Sequence, residues 1–147
     1  MTTLHDAVAL ARDEHGLTVV ATARADGSIQ ASLVNAGVLA HPATGEQVLA
    51  FVTYGKVKLA NLRVRRQLAA TFRNGWRYAT VEGDAELAGP DDPAPWLRDA
   101  EQLRLLLREV FTAAGGTHDD WDEYDRVMLA DRRAAVFVTP ARVYSNG

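Results

Sequence analysis

Apolar and polar positions along this chain fall into short runs separated by turn residues, and the runs switch between two periods. Leu4, Ala7, Val8 and Ala11 recur at helical spacing with Leu10 on the flank. This predicts a first helix, capped by the hydroxyl of Thr2 or Thr3 and ended by Gly16. The pattern then changes to strands: Leu17 to Arg24, Ser28 to Leu39 and Gln47 to Thr53, joined by the Ala25-Asp26-Gly27 turn and the His41 to Gly45 turn. In the second of these, Gln30 and Ser32 alternate with Ile29, Ala31 and Leu33. Gly55 breaks the run, and Lys56 to Arg66 predicts a short helix with Val57, Leu59, Ala60, Leu62 and Val64 as inward candidates. A hairpin follows, Gln67 to Arg73 and Trp76 to Leu87 around Asn74-Gly75, with Gly83 marking a bulge. Helices are expected over Trp96 to Ala114 and Trp121 to Asp131, and a last strand over Ala134 to Tyr144, interrupted by Pro140.

About six strands and four helices, with consecutive hairpins, predict mostly antiparallel pairing. Closing the strands into a barrel removes exposed edges, so the expected class is mainly β or α+β, a β-barrel with helices inserted between hairpins. One domain spanning 1–147 is expected. No Gly-x-Gly-x-x-Gly follows a strand, so the pattern gives no support to a dinucleotide-binding parallel sheet.

Composition narrows the chemistry. Hydrophobic residues make up 48% of the 147 positions and charged residues 24%, a globular balance. The absence of cysteine excludes disulfides, thiolate nucleophiles and zinc–thiolate sites. The N-terminal residues lack the basic end and apolar run of a signal peptide, and no stretch reaches the roughly 18 apolar residues that cross a membrane, so a cytoplasmic protein with no membrane contact is expected. The net charge of -3 hides an asymmetry: between Glu46 and Glu82 there is no acidic residue, while Lys56, Lys58, Arg63, Arg65, Arg66, Arg73 and Arg77 all fall there. A local basic field in an acidic protein points to one anionic small molecule rather than a nucleic acid. A solvated basic face is the other reading of the same charges.

The densest signal is Tyr54-Gly55-Lys56-Val57-Lys58-Leu59-Ala60-Asn61-Leu62-Arg63, where a strand ends and a helix begins with two lysines in its first turn. A helix start is already partially positive, so cations there are unfavourable unless an anion sits nearby. Free N–H groups, the helix dipole and the two ammonium groups together would make a phosphate cradle. Two solvated lysines on a surface helix are the plain alternative. Asn61, three residues after Lys58, shares its face and can bond a phosphate or a ring carbonyl. Trp76 and Tyr78 alternate on a strand and either stack on a ligand ring or fill the barrel. Ser32 and Asn35 are candidates to meet a heterocycle edge, or are ordinary solvent-facing positions. His118-Asp119-Asp120 reads as a helix cap rather than a metal site. No Gly-x-Ser-x-Gly, His-Glu-x-x-His or P-loop is present, and no acid–base pair stands out, so a bound cofactor would carry the hard chemistry.

These residues carry a family resemblance that covers nearly the whole chain. Ala25-Asp26-Gly27-Ser28 with Ser32-Leu33-Val34-Asn35, the Lys56 to Arg63 segment, Gly75-Trp76 with Val81-Glu82-Gly83, His118 to Tyr124, Asp131-Arg132-Arg133 and Arg142-Val143-Tyr144 resemble the pyridoxamine 5'-phosphate oxidase-like, FMN-binding split-barrel proteins. Within that family they resemble specifically the actinobacterial branch that uses the deazaflavin coenzyme F420. The resemblance implies a homodimer with the cofactor in a groove at its interface. It implies that Lys56, Lys58 and Asn61 hold the cofactor phosphate, that the strand at Ser32, Val34 and Asn35 lies along the ring, and that Trp76 is an aromatic of the pocket. The chemistry it implies is hydride transfer from reduced deazaflavin to an electrophilic small molecule, such as a tetrapyrrole or an unsaturated carbonyl compound. FMN in place of F420, as in an oxidase or reductase, and a non-catalytic F420-binding protein are the alternatives. Ala36-Gly37 is smaller and more apolar than the relatives' pattern, and Leu59-Ala60 brings no extra charge.

Overall fold

The structure is a computed structural model describing residues 1–147. Helix α1 (Leu4–Leu10) opens with Thr3 as its cap: Thr3 Oγ1 accepts from the Asp6 amide, and the Asp6 carboxylate accepts from the Thr3 amide. The expected run to Gly16 ends early, in a 3-10 turn at Arg12–Glu14. Three consecutive charged residues there give the helix no apolar face to continue on. Strands β1 (Leu17–Ala23), β2 (Ile29–Ala40) and β3 (Gln47–Thr53) follow, then helix α2 (Lys56–Val64), strands β4 (Gln67–Asn74) and β5 (Arg77–Ala88), helices α3 (Ala100–Ala113) and α4 (Trp121–Ala130), and strand β6 (Ala134–Ser145).

The six strands close into one antiparallel barrel in the order β1-β2-β3-β6-β5-β4, with β1 pairing to both β2 and β4. The expected barrel with four helices is thus the observed one. Its interior is filled by apolar side chains from every strand, among them Val20, Leu49, Phe51, Phe72, Val81 and Val136, together with Leu59 and Leu62 of α2 and Leu4 and Ala7 of α1. A second apolar layer lies outside the barrel, where Leu106, Leu107 and Val110 of α3 and Tyr124 and Met128 of α4 meet Val48, Ala50, Ala135 and Phe137. Both faces of β3 and of the first part of β6 are therefore covered, which explains their nearly unbroken apolar sequences.

Two glycines permit close approaches that hold these layers together. A Cβ on Gly37 of β2 would lie 2.2 Å from the Ala113 carbonyl oxygen, so the C-terminus of α3 sits directly on the strand. A Cβ on Gly83 would lie 2.0 Å from the Thr139 carbonyl oxygen, at the bulge where Glu82 pairs with Arg142 but Gly83 pairs with Pro140. The extra residue belongs to β6, so Pro140 does not interrupt the strand: its missing N–H falls at an irregular point of the ladder.

Three sequence expectations are corrected. Helix α3 begins at Ala100, with Asp99 as its cap, rather than at Trp96. Asp99 accepts from the Gln102 amide and so fixes the start, while Trp96 is held instead by the Glu86 carboxylate, to which its Nε1 donates at 3.2 Å. Trp76 belongs to the β4–β5 turn rather than the return strand, and Asn74 pairs with Arg77 across it. In α2, Val57, Ala60 and Val64 face solvent, and the buried face is Lys58, Leu59, Asn61 and Leu62.

Candidate functional site

Helix α2 brings together three of the residues singled out in the sequence. Gly55 occupies its N-cap position and supplies no side-chain cap, so the first turn keeps its free N–H groups. Lys58 lies in that turn, and its side chain curls back until Nζ is 3.6 Å from where a Cβ on Gly55 would be. It is only 4% exposed. Its ammonium donates to Thr53 Oγ1 at 2.9 Å and lies 5.8 Å from the Phe51 ring centroid. It forms no ion pair, and burial pushes its pKa down from the ordinary lysine value. Lys56, by contrast, is exposed at the helix start.

Asn61, 6% exposed, points into the barrel rather than along the surface. Its Nδ2 donates to Thr22 Oγ1 at 3.0 Å, and Thr22 Oγ1 donates in turn to Gln30 Oε1 at 3.0 Å. This relay ties α2 to β1 and β2. It also shows why the alternation along β2 reads backwards: Gln30 and Ser32 turn inward under α2, while Ile29, Ala31 and Leu33 turn out. Ser32 Oγ is buried and has no hydrogen-bond partner, the one side-chain polar atom in the molecule in that condition. Buried hydroxyls are normally paired, so Ser32 Oγ stands out as the unmet polar group of the inner face of β2. Val34, 8% exposed, packs in the barrel core opposite Thr18.

The β2–β3 ladder runs only from Ala40↔Gln47 to Ala36↔Phe51. Beyond it the first half of β2 follows β1 while the end of β3 follows β6, and α2 begins where the two part. Ser32, Val34 and Asn35 lie on the β2 side of this opening, and Thr53, Gly55 and Lys58 on the other.

Asn35 is exposed and faces a neighbouring cavity of about 580 Å³ between β2, β3, the end of α3 and α4. Phe111 and Met128 supply apolar wall; His15, His118, Glu123 and Arg133 supply polar groups. Arg133 ion-pairs with Asp131, and its guanidinium lies over the Tyr54 ring at 4.1 Å from the centroid. Tyr54 is the residue before Gly55, so the cavity and the start of α2 share a wall. His118 Nδ1 accepts from the Asp120 amide, and Asp120 caps α4, which is the helix-cap role its sequence suggests. No group of three or more metal-capable side chains is assembled anywhere.

Trp76 is not brought to this site within one chain. It is 96% exposed on the turn beyond Phe72, whereas Asn61 meets β1 at Thr22, which pairs with Leu68 at the opposite end of β4. Six strand positions, Leu68 to Asn74, and then the turn separate the two levels, on the order of 20 Å. Tyr78, 40% exposed, does not fill the barrel either. His15 drew no attention in the sequence. Its only local sign is the glycine that follows it, and its importance comes from residues a hundred positions away.

No helix is long and apolar enough to cross a membrane. No family model matches the chain. Solved structures do resemble it. A conserved hypothetical protein of Mycobacterium tuberculosis aligns over 99% of this chain and 84% of its own, with a TM-score of 0.67 and 17% identity. A protein described as an F420 reductase aligns over 87% of this chain and 88% of its own, at TM-score 0.57 and 20% identity. A pyridoxamine 5'-phosphate oxidase-related, FMN-binding protein of Nostoc punctiforme aligns over 97% and 81%, at TM-score 0.59 and 15% identity. With identities so low the likeness is one of fold, and the chain therefore shares the split β-barrel of pyridoxamine 5'-phosphate oxidase-related proteins.

Proposed function

We propose that this chain binds coenzyme F420 at the start of α2 and uses its reduced form to reduce an electrophilic small molecule held in the adjoining cavity. One observation carries the reading: Lys58 is a buried cation with no anion, placed at the uncapped, positive end of a helix. Two like-signed features in one buried spot cost stability, and a phosphate there offsets both. The orphaned Ser32 hydroxyl, across the opening from Lys58, supplies a donor and acceptor for a polar ring edge.

The residues present fit such a group. Lys58 and the free amides of α2 hold the phosphate, with exposed Lys56 adding charge. Asn61 keeps the helix in register with β1 and β2 through Thr22, so its contribution is to position the cradle as much as to touch the ligand. Ser32 offers its hydroxyl to the ring from the inner face of β2, with Val34 beside it as packing, while Asn35 projects from the opposite face toward the cavity. When bound, the deazaflavin supplies hydride transfer. The chain's own part is to orient the ring against the cavity and to keep water out along its apolar wall.

The same reading includes a homodimer. The outward face of β1 and β2 presents Val19, Ile29, Ala31 and Leu33, with Val19 paired to Leu33 and Ala21 to Ala31. A second copy is the partner that covers this face and delivers its own Trp76 to the site. The cradle alone reads the phosphate that FMN shares and not the ring, so selectivity for F420 falls to the ring side of the opening at Ser32. Titration of the purified protein with F420 and, separately, with FMN decides this. Saturable, selective quenching of F420 fluorescence is expected. Preference for FMN moves the protein to the flavin reading, binding without any turnover makes it a carrier, and binding of neither overturns the cradle.

A further inference from the structure

The chain has four histidines, and hydrogen bonding separates them. His41 Nδ1 accepts from the Ala43 and Thr44 amides, and its Nε2 donates to Glu86 at 2.6 Å. His118 Nδ1 accepts from the Asp120 amide. A second proton on either ring would displace a bond already made. His5 is exposed on α1 and makes no side-chain hydrogen bond. His15 is different. Its Nδ1 lies 3.1 Å from the Gly115 carbonyl oxygen, and a carbonyl only accepts, so Nδ1 carries the hydrogen. Its Nε2 is left free to take and give a proton without loss of any bond.

The placement of His15 is enforced. Its backbone adopts φ +55°, a left-handed conformation uncommon outside glycine. Its carbonyl accepts from Asn35 Nδ2 at 3.0 Å, and the next residue's carbonyl accepts from the Ala36 amide. The ring is thus fastened to the end of α3 and the backbone to β2, at the strand position read above as lying beside the cofactor ring. His15 also lines the cavity and is open to solvent, from which it can be recharged. Strain held in place from several sides is a mark of functional positions.

We propose that His15 is the acid that protonates the substrate held in this cavity, the species protonated being the enolate for an unsaturated carbonyl substrate such as the resemblance implies. The proposal rests on the hydride-transfer reading above. A bound reduced deazaflavin would supply hydride, two electrons with it, to the carbon β to the carbonyl. The carbon–carbon π pair would move to give an enolate with its charge on oxygen. The proton would leave His15 Nε2 for the enolate, and the N–H pair would stay on the ring as neutral imidazole. Other charged or titratable groups facing the cavity are His118, Glu123, Tyr124 and Arg133, while Arg12, Asp13 and Glu14 precede His15 on its own turn.

The test has two arms. In the first, cofactor-free protein is titrated with 4-nitrophenol, a planar oxyanion standing in for the enolate, and its visible absorbance is followed. His15→Asn keeps a residue tolerant of the left-handed backbone, and is expected to weaken binding about tenfold, the loss of one charge-assisted bond. His5→Asn is expected to change nothing. In the second, turnover of cyclohexenone with reduced cofactor is measured against pH. His15→Asn is expected to lower kcat by about 100-fold, within the range for loss of a general acid, and to remove one limb of the pH profile. Added imidazole is expected to restore turnover to His15→Gly, which a purely structural histidine would not allow. Unchanged nitrophenol affinity and an unchanged pH profile in His15→Asn overturn the proposal. Failure of the wild type to bind either cofactor overturns the hydride reading instead, and the first arm still reports on His15.

Discussion

The two halves of the barrel differ in how completely the chain finishes them. On the β3–β6 side, α3 and α4 cover the outer face, and the polar groups buried there are paired: Tyr124 donates to the Leu107 carbonyl, and Asp125 takes two bonds from Arg108 and one from Arg104. On the β1–β2 side the outer face is bare, with Ile29 61% and Leu33 62% exposed, and beneath it lie the unpaired Ser32 hydroxyl and the anion-free Lys58. The first half is built for stability. The second leaves an apolar face uncovered, a cation without an anion and a hydroxyl without a hydrogen-bond partner. Exposed apolar area and unmet polar groups fall on the same side of the domain, and under the proposed function that side is the binding half and the other the scaffold half.

This contrast can be broken at several points. The largest effect belongs to the covered half: Phe137→Ala empties a fully buried site between α3 and the barrel and is expected to cost about 3–5 kcal/mol in denaturant unfolding. A loss under 1 kcal/mol would show that the helical layer is not a packed core. Next, Lys58→Met is expected to weaken phosphate-cofactor binding by about 1.5–3 kcal/mol while leaving the ligand-free protein equally or more stable. Equal affinity in the variant and the wild type would remove the cradle. Tyr124→Phe is expected to cost about 1 kcal/mol at neutral pH, the worth of one buried hydrogen bond. Burial pushes the Tyr124 hydroxyl up to about 12 in the folded state, from 10. An unfolded chain therefore loses this proton first, and the tyrosine's contribution is present below about pH 10 and drains away as pH rises toward 12. Thermal melts across that window should show an alkaline limb that the phenylalanine variant lacks in part. The smallest effect on the fold belongs to the bare half: Leu33→Glu is expected to change monomer stability by no more than about 0.5 kcal/mol yet to shift sedimentation from dimer to monomer. An unaltered sedimentation profile would take this face out of the interface.

The scaffold half was the more legible in sequence. Continuous apolar runs such as Gln47 to Thr53 and the His41 to Gly45 turn that leads into it depend on neighbours in the chain, and the third strand has the bounds its pattern predicts. The site half was legible by residue type but not by direction. Lys58 and Asn61 were recognisable as a shared face, but the apolar stripe rule sends Val57 and Val64 inward and cannot anticipate a buried lysine. On β2 the polar residues are the inward ones because the Asn61–Thr22–Gln30 relay receives them, a fact of tertiary contact. Helix α3 starts late because Asp99 caps it, a residue type that marks helix starts and was readable in the sequence. His15 depends on Asn35 and Gly115 together, and nothing near it in the chain announces either.

The seam between β3 and β6 has a consequence for how the molecule comes to exist. It joins Thr53 to Ala134 and Leu49 to Val138, and β6 also completes the neighbouring ladder to β5. Such distant pairings must wait for the chain between them to be ordered, and barrels dominated by them fold on the slow millisecond-to-second scale. During synthesis the ribosome therefore releases β1 to β5 and both outer helices before the strand that locks them has been made. Until then β3 and β5 each lack their last neighbour, and this unfinished sheet is the state in which the newborn chain is most open to aggregation and to chaperones.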